Sequence, residues 1–156
     1  MHVTGATCGA GTLSAENVEL VRSLQPAPDI DLIALVIDDD AARRWRERAE
    51  SLFDPALQVS FRFSGMAPVT YLELTGLRSA WRDWLVRWAS YRVDIDDLLD
   101  AGDRVVVMHT DYAQPKPGAP EVVRRRAAVW TVRGGRVTHV DFYPQRAEAM
   151  KAVGLA

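Results

Sequence analysis

Apolar positions in this chain switch between helical and strand periods. Val18, Val21 and Leu24 share a helical face behind Ser14, an N-cap residue, and Glu16 in the first turn. Pro26 and Pro28 end that helix, and Asp29 to Ile37 reads as a short apolar helical piece. Asp39 or Asp40 caps the next helix, where Ala42, Trp45, Ala49, Leu52 and Phe53 form a stripe. Its other face, with Arg43, Arg44, Glu47, Arg48 and Glu50, reads as solvated surface, and Asp54-Pro55 stops it. Leu57 to Phe63 alternates as a strand, and Val69 to Leu72 is a short strand carrying Tyr71. Thr75 caps a helix in which Leu77, Trp81, Trp84, Leu85 and Trp88 follow helical spacing, a stripe expected to be core. Strands follow at about 91–99, 103–113, 121–133 and 136–143, with Gly102-Asp103 and Gly134-Gly135 as tight links. A last helix runs around Glu148 and Met150. Helices first and a meander afterwards is the α+β pattern.

The 156 residues suffice for one domain with its own core, and 48% hydrophobic content excludes a disordered chain. The expected division is a flexible tail, 1–13, and a single domain, 14–156. A formal net charge of −2, with basic and acidic residues interspersed, leaves no nucleic-acid footprint, and Arg124-Arg125-Arg126 is too short for a basic arm. A lone cysteine, Cys8, excludes an intrachain disulfide. His2, His109 and His139 are scattered, so no metal site is expected, and no glycine loop suits a phosphate. No stretch approaches the roughly 18 apolar residues of a membrane span, and the N-terminus lacks a signal-peptide pattern. A cytoplasmic protein without membrane or nucleic-acid partners is expected.

The segments SAENVELVR, GLRSAWRDWL, YRVDIDDLLDAGDRVVV and AAVWTVRGGRVTHVDFYPQRAEAMKAVGL together resemble the nuclear transport factor 2-like superfamily, in its SnoaL-like branch. The resemblance covers about residues 14–156. It implies a cone: a curved antiparallel sheet around a pocket, plugged by N-terminal helices, often in a homodimer. The segment from Gln25 to Arg48 is longer than the family's usual linker. The superfamily includes ketosteroid isomerases, polyketide cyclases, limonene-type epoxide hydrolases, dehydratases and non-catalytic binding modules, so function follows from residues and not from fold. Where the isomerases place an acid, this chain has Ala128. Where the epoxide hydrolases carry Arg-x-Asp, it reads His109-Thr110-Asp111, and their second aspartate falls on Phe142.

The resemblance turns His109, Asp111, Arg126, Ala128, Trp130, Val140 and Phe142 inward, a register that a bulge would reverse. His109 and Asp111, two residues apart on one strand face, can meet one ligand or one water. A carboxylate shielded from water suits a general base, with histidine as its proton partner. The structural alternative is that Asp111 pairs with Arg124 or Arg126 across the hairpin. An inward Arg126 needs a counter-charge, since isolated burial costs several kcal/mol, roughly; otherwise Arg124 and Arg126 clamp a ligand oxygen. Tyr71 either offers a hydroxyl or only packs. His139 and Asp141 are expected on the outer face.

These residues lead to the expectation of a cofactor-independent enzyme, of isomerase, cyclase, lyase or hydrolase type, on a small, largely apolar oxygenated molecule bound in the cone. Asp111 is its base, His109 the proton partner, and Arg126 an oxyanion stabiliser. The alternative is a non-catalytic binding or accessory protein. Met108, Tyr112 and Val129, facing away from the cone, lead to the expectation of a homodimer through the sheet.

Overall fold

The computed structural model describes residues 2–155, with side chains from Leu13 onward. The expected flexible tail falls almost wholly on residues outside those whose side chains are described. Helices α1 (His2–Ser23), α2 (Leu32–Ile37) and α3 (Asp39–Ala49) and a 3₁₀ turn (Glu50–Leu52) precede strands β1 (Phe53–Phe61) and β2 (Val69–Leu72). Helix α4 (Glu73–Leu85) leads into β3 (Ser90–Ala101), β4 (Arg104–Gln114), β5 (Val122–Arg133) and β6 (Arg136–Tyr143), and α5 (Arg146–Ala152) closes the chain. The expected N-cap Ser14 therefore lies inside α1. Asp38, rather than Asp39 or Asp40, caps α3 by accepting from the Ala41 amide at 2.7 Å.

The strands form one curved, unclosed sheet in the order β2-β1-β6-β5-β4-β3, with helices packed against it. The α+β cone is thus present, but its sheet is mixed: β1 runs parallel to β6. No hairpin joins these two distant segments, so nothing local imposes the antiparallel direction. The strand begins at Phe53, upstream of the expected start, and the register shift between Phe53 and Gln58 lets Pro55 sit outside a regular ladder.

The inner face carries the main core: Leu57, Val59 and Phe61 of β1, Val105 and Val107 of β4, Ala128 and Trp130 of β5, and Val140 of β6 meet Val21, Leu77 and Ala80 from the helices. Gly76 lets α4 lie on β2: a Cβ there would stand 3.1 Å from the Tyr71 backbone carbonyl carbon. Helix α4 ends at Leu85, so Trp88 leaves the expected stripe, and Trp84 and Trp88 are half-buried against each other.

A β-bulge between Ile95 and Asp97 resets the facing of β3. Tyr91, Val93 and Ile95 pack inward before it, Leu98 packs inward after it, and Asp96 is the extra residue. The outer face has its own cover. Helix α5 places Ala149 and Val153 over Val106, Ala127 and Val129, and Val129 is 3% exposed. This removes part of the motive for a dimer through the sheet, because the chain's own last helix buries that patch.

Candidate active site

β4 turns His109 and Asp111 to the inner face, where their register partners on β5 are Arg126 and Arg124. Both side chains are buried, His109 at 5% and Asp111 at 3% exposure. Asp111 is surrounded by donors. His109 Nδ1 lies 2.5 Å from its Oδ1, and the Tyr91 hydroxyl donates to its Oδ2. Arg126 Nε is 4.0 Å from that same Oδ2, and its guanidinium stacks 5.0 Å above the Trp84 ring. Burial, and then the neighbouring Asp111 charge, push the Tyr91 phenol well above the ordinary tyrosine range, so it remains a donor.

Since Asp111 accepts, His109 donates from Nδ1, and that tautomer leaves the Nε2 lone pair free. His109 Nε2 is buried and has no hydrogen-bond partner. His109 also lines a cavity of about 810 Å³ between the sheet and α2, α3 and α4. Its walls are mainly apolar, among them Trp45, Leu77, Trp81, Val93 and Val107. Volumes of this order hold drug-sized ligands.

The expected site residues divide into groups. His109, Ala128, Trp130 and Phe142 line this cavity. Asp111 and Arg126 do not; with His109 they border a crevice of about 10 Å³ on the other side, the space of about one water. Arg124, though opposite Asp111 in register, is exposed and lines neither space. The Tyr71 hydroxyl donates to Asp83 at 2.8 Å, away from both spaces. Val140 is fully buried core and lines neither. His139 and Asp141 stay off the inner face; Asp141 lies 3.9 Å from Arg62.

Tyr91 is a site residue that the sequence pattern does not single out. Its signal is present all the same, since Tyr91 alternates with Val93 and Ile95 at the start of the strand beside the site. Arg43 and Arg48, expected as solvated surface, both line the cavity together with Arg46.

A family model for the SnoaL-like domain matches residues 40–140. The chain belongs to the SnoaL-like family. Comparison with curated proteins finds no match. Among solved structures, the SnoaL-like protein is similar to a SnoaL-like polyketide cyclase from Jannaschia sp. CCS1, with 18% identity, TM-score 0.59, and coverage of 91% of this chain and 94% of that one. TerC co-crystallized with polyporic acid gives 17% identity, TM-score 0.58, and coverage of 89% and 98%. An LEH-like epoxide hydrolase of M. tuberculosis gives 17% identity, TM-score 0.52, and coverage of 89% and 90%. At these identities the likeness shows the fold.

The SnoaL-like chain also holds its histidine strand from behind. Arg146, first residue of α5, donates through Nη2 to the His109 carbonyl at 2.9 Å and through Nε to the Arg126 carbonyl at 3.1 Å. The same Nη2 lies 2.5 Å from Asp96 Oδ2, and that oxygen accepts from Thr110 Oγ1 at 2.6 Å. Burial works against the Asp96 charge, but the Thr110 and Arg146 hydrogen bonds outweigh it and hold the carboxyl below the usual range. Among the described residues, no group of three or more His, Cys, Asp or Glu side chains is gathered as a metal ion would need. None of the described helices is long and apolar enough to cross a membrane.

Proposed function

We propose that this SnoaL-like protein is a cofactor-independent enzyme that moves a proton on a small, largely apolar, oxygenated molecule held in the cavity. The observation that carries this reading is the pairing of Asp111 with His109 Nδ1 while His109 Nε2 stands unpartnered in a residue of the cavity wall. The roles expected from sequence are exchanged. His109 is the general base, taking a proton at Nε2 from a carbon acid or from a water that attacks the ligand. Asp111 is the positioning residue: it fixes the tautomer and stabilises the imidazolium that forms. Arg126 compensates Asp111, and Tyr91 completes the shell of the carboxylate. Trp130 and Phe142 are apolar walls, as their place in the lining supports.

The epoxide hydrolase among the structural neighbours illustrates chemistry this fold accommodates. The epoxide-hydrolase constellation is altered at His109 and lost at Phe142, so a proton transfer centred on one histidine is favoured over that mechanism. A second reading, a non-catalytic binding protein, is favoured by the fact that Asp111 is fully occupied by neighbouring side chains.

The test is His109→Gln on a substrate found by screening apolar ketones, enones and epoxides. Catalysis by His109 requires turnover to fall by about 10²–10⁴ while ligand affinity persists. Unchanged turnover would refute the assignment, and affinity without measurable turnover in the parent protein would favour the binding module.

A further inference from the structure

Two observations describe the ligand beyond its apolar body. Trp130 is 6% exposed, lines the cavity, and has an indole Nε1 with no hydrogen-bond partner. An indole N–H can only donate, and leaving it buried and unmet is costly. Trp130 lies opposite Val105, four residues along β5 from Arg126, which lies opposite His109. At about 3.3 Å per residue the two backbones stand about 13 Å apart along the sheet. The second observation is charge. The cavity lining contains Arg43, Arg46, Arg48, Arg78 and Arg82 but, among carboxylates, only Asp39. Arg78 is committed to Asp39 at 2.7 Å and to the Val36 carbonyl at 2.9 Å. Arg43 has carboxylates of its own helix within 4.0 Å, and Arg46 has Glu50 of the following turn. Arg48 and Arg82 have none among the described residues, and both are exposed, which puts them at the mouth.

We infer that the cavity takes an apolar acid: a hydrocarbon body with a hydrogen-bond-accepting oxygen that meets Trp130 Nε1, and an anionic group at the mouth beside Arg48 and Arg82. The inference rests on the reading of this cavity as the ligand site and adds what the ligand must carry. Trp130 is then a specificity residue, rewarding a carbonyl, ether or hydroxyl oxygen over a bare hydrocarbon edge. The arginines favour a carboxylate over its neutral counterpart and draw it to the mouth.

Three tricyclic probes of nearly equal shape test this by calorimetric titration: fluorene-2-carboxylate, 9-oxofluorene-2-carboxylate and uncharged 9-fluorenone. The oxo acid is expected to bind about tenfold tighter than the fluorene acid, the worth of one such hydrogen bond. Trp130→Phe should erase that difference between the two acids, since the loss of wall area falls on both alike. Arg48→Gln with Arg82→Gln should weaken both acids about tenfold and leave 9-fluorenone unaffected. In the parent protein, the Trp130 indole N–H resonance should move downfield with the oxo acid but not with the fluorene acid, a readout that needs no variant. Equal binding of the two acids, or a preference that survives Trp130→Phe, overturns the acceptor subsite while the cavity reading stands. An oxo acid bound no tighter than 9-fluorenone overturns the anionic assignment. Failure of every probe to bind overturns both the inference and the cavity reading, whereas loss of the His109 assignment alone would leave all these affinities in place.

Discussion

Replacing Asp111 by Asn keeps the size of the side chain and removes its charge. The carboxylate accepts from the Tyr91 hydroxyl on Oδ2 and from His109 Nδ1 on Oδ1, and the Arg126 guanidinium stands 4.0 Å from Oδ2 as its counter-charge. Two unit charges at the 4.0 Å separation of Arg126 and Asp111 attract by about 4 kcal/mol at an effective dielectric constant near 20. Desolvation has already consumed much of that gain, but removing one partner leaves the other charge uncompensated, at a cost of about 3–5 kcal/mol. Arg126 is 16% exposed and its ring contact with Trp84 does not replace the carboxylate. The amide also has a forced orientation. Its carbonyl must turn to the Oδ2 side, because both neighbours there are donors, so its NH₂ faces His109 Nδ1. His109 must then accept at Nδ1 and carry its proton on Nε2, the wrong tautomer for the proposed base. Asp111→Asn is therefore expected to lose about 3–5 kcal/mol in urea unfolding at neutral pH and to lower turnover by about 10²–10⁴. Nitrogen chemical shifts of His109 would report the tautomer change directly. A loss below about 1 kcal/mol, with the His109 tautomer unchanged, would refute the geometry on which the proposed roles stand.

Arg146→Ala should cost about 2–4 kcal/mol in denaturant melts, since it removes charge-assisted bonds to two strand carbonyls and Asp96 and loosens α5 from the outer core; a loss below about 0.5 kcal/mol would show that α5 docks without it. Asp96 is held below its ordinary value of 3.8, so its stabilisation is full above that pH and is lost as pH falls through the lower folded value. Asp96→Asn should accordingly flatten the acid limb of the stability profile below about pH 4, by less than about 1 kcal/mol because the side chain is 38% exposed; an unaltered limb would refute the coupling. Gly76→Val should destabilise the fold by about 1–3 kcal/mol through the clash with Tyr71 that even a Cβ begins, and a variant as stable as the parent in thermal melts would mean that α4 shifts freely on β2.

Strand alternation groups His109 with Asp111, Arg126 with Ala128 and Trp130, and Val140 with Phe142, and the resemblance to the superfamily adds which of the two faces is inward, the face on which the structure has them. Alternation does not show which inward residues meet the cavity. Val140 and Phe142 share a face, yet one is sealed in core and the other reaches open space, a difference set by the helices above them. Arg124 and Arg126 are equal candidates for Asp111 by spacing; the structure gives the contact to Arg126 and leaves Arg124 in solvent. The parallel pairing of β1 with β6 joins segments about eighty residues apart, beyond any local signal. Val129 reads as an exposed outer residue because the docking of α5 depends on tertiary contacts made by Arg146, Ala149 and Val153.

The charge balance of the site connects its parts. Asp111 with Arg126 is neutral as a pair, and His109 is neutral while its Nε2 lone pair is free. In the reaction proposed above, proton capture by His109 leaves a net positive charge on a mainly apolar cavity wall, where an isolated ion is poorly solvated. The complementary negative charge arises on the ligand in the same step, as an enolate or alkoxide oxygen, and the two charges stabilise each other in that environment. In that reaction Arg126, 4.0 Å from Asp111, keeps the carboxylate paired while the charge on His109 changes, which would give the buried pair a functional reason beyond stability. The Arg146 contacts behind the strand matter for the same reason. They hold the backbone carbonyls of His109 and of Arg126, the histidine and the counter-ion of its carboxylate, in one arrangement from the outer face of the sheet.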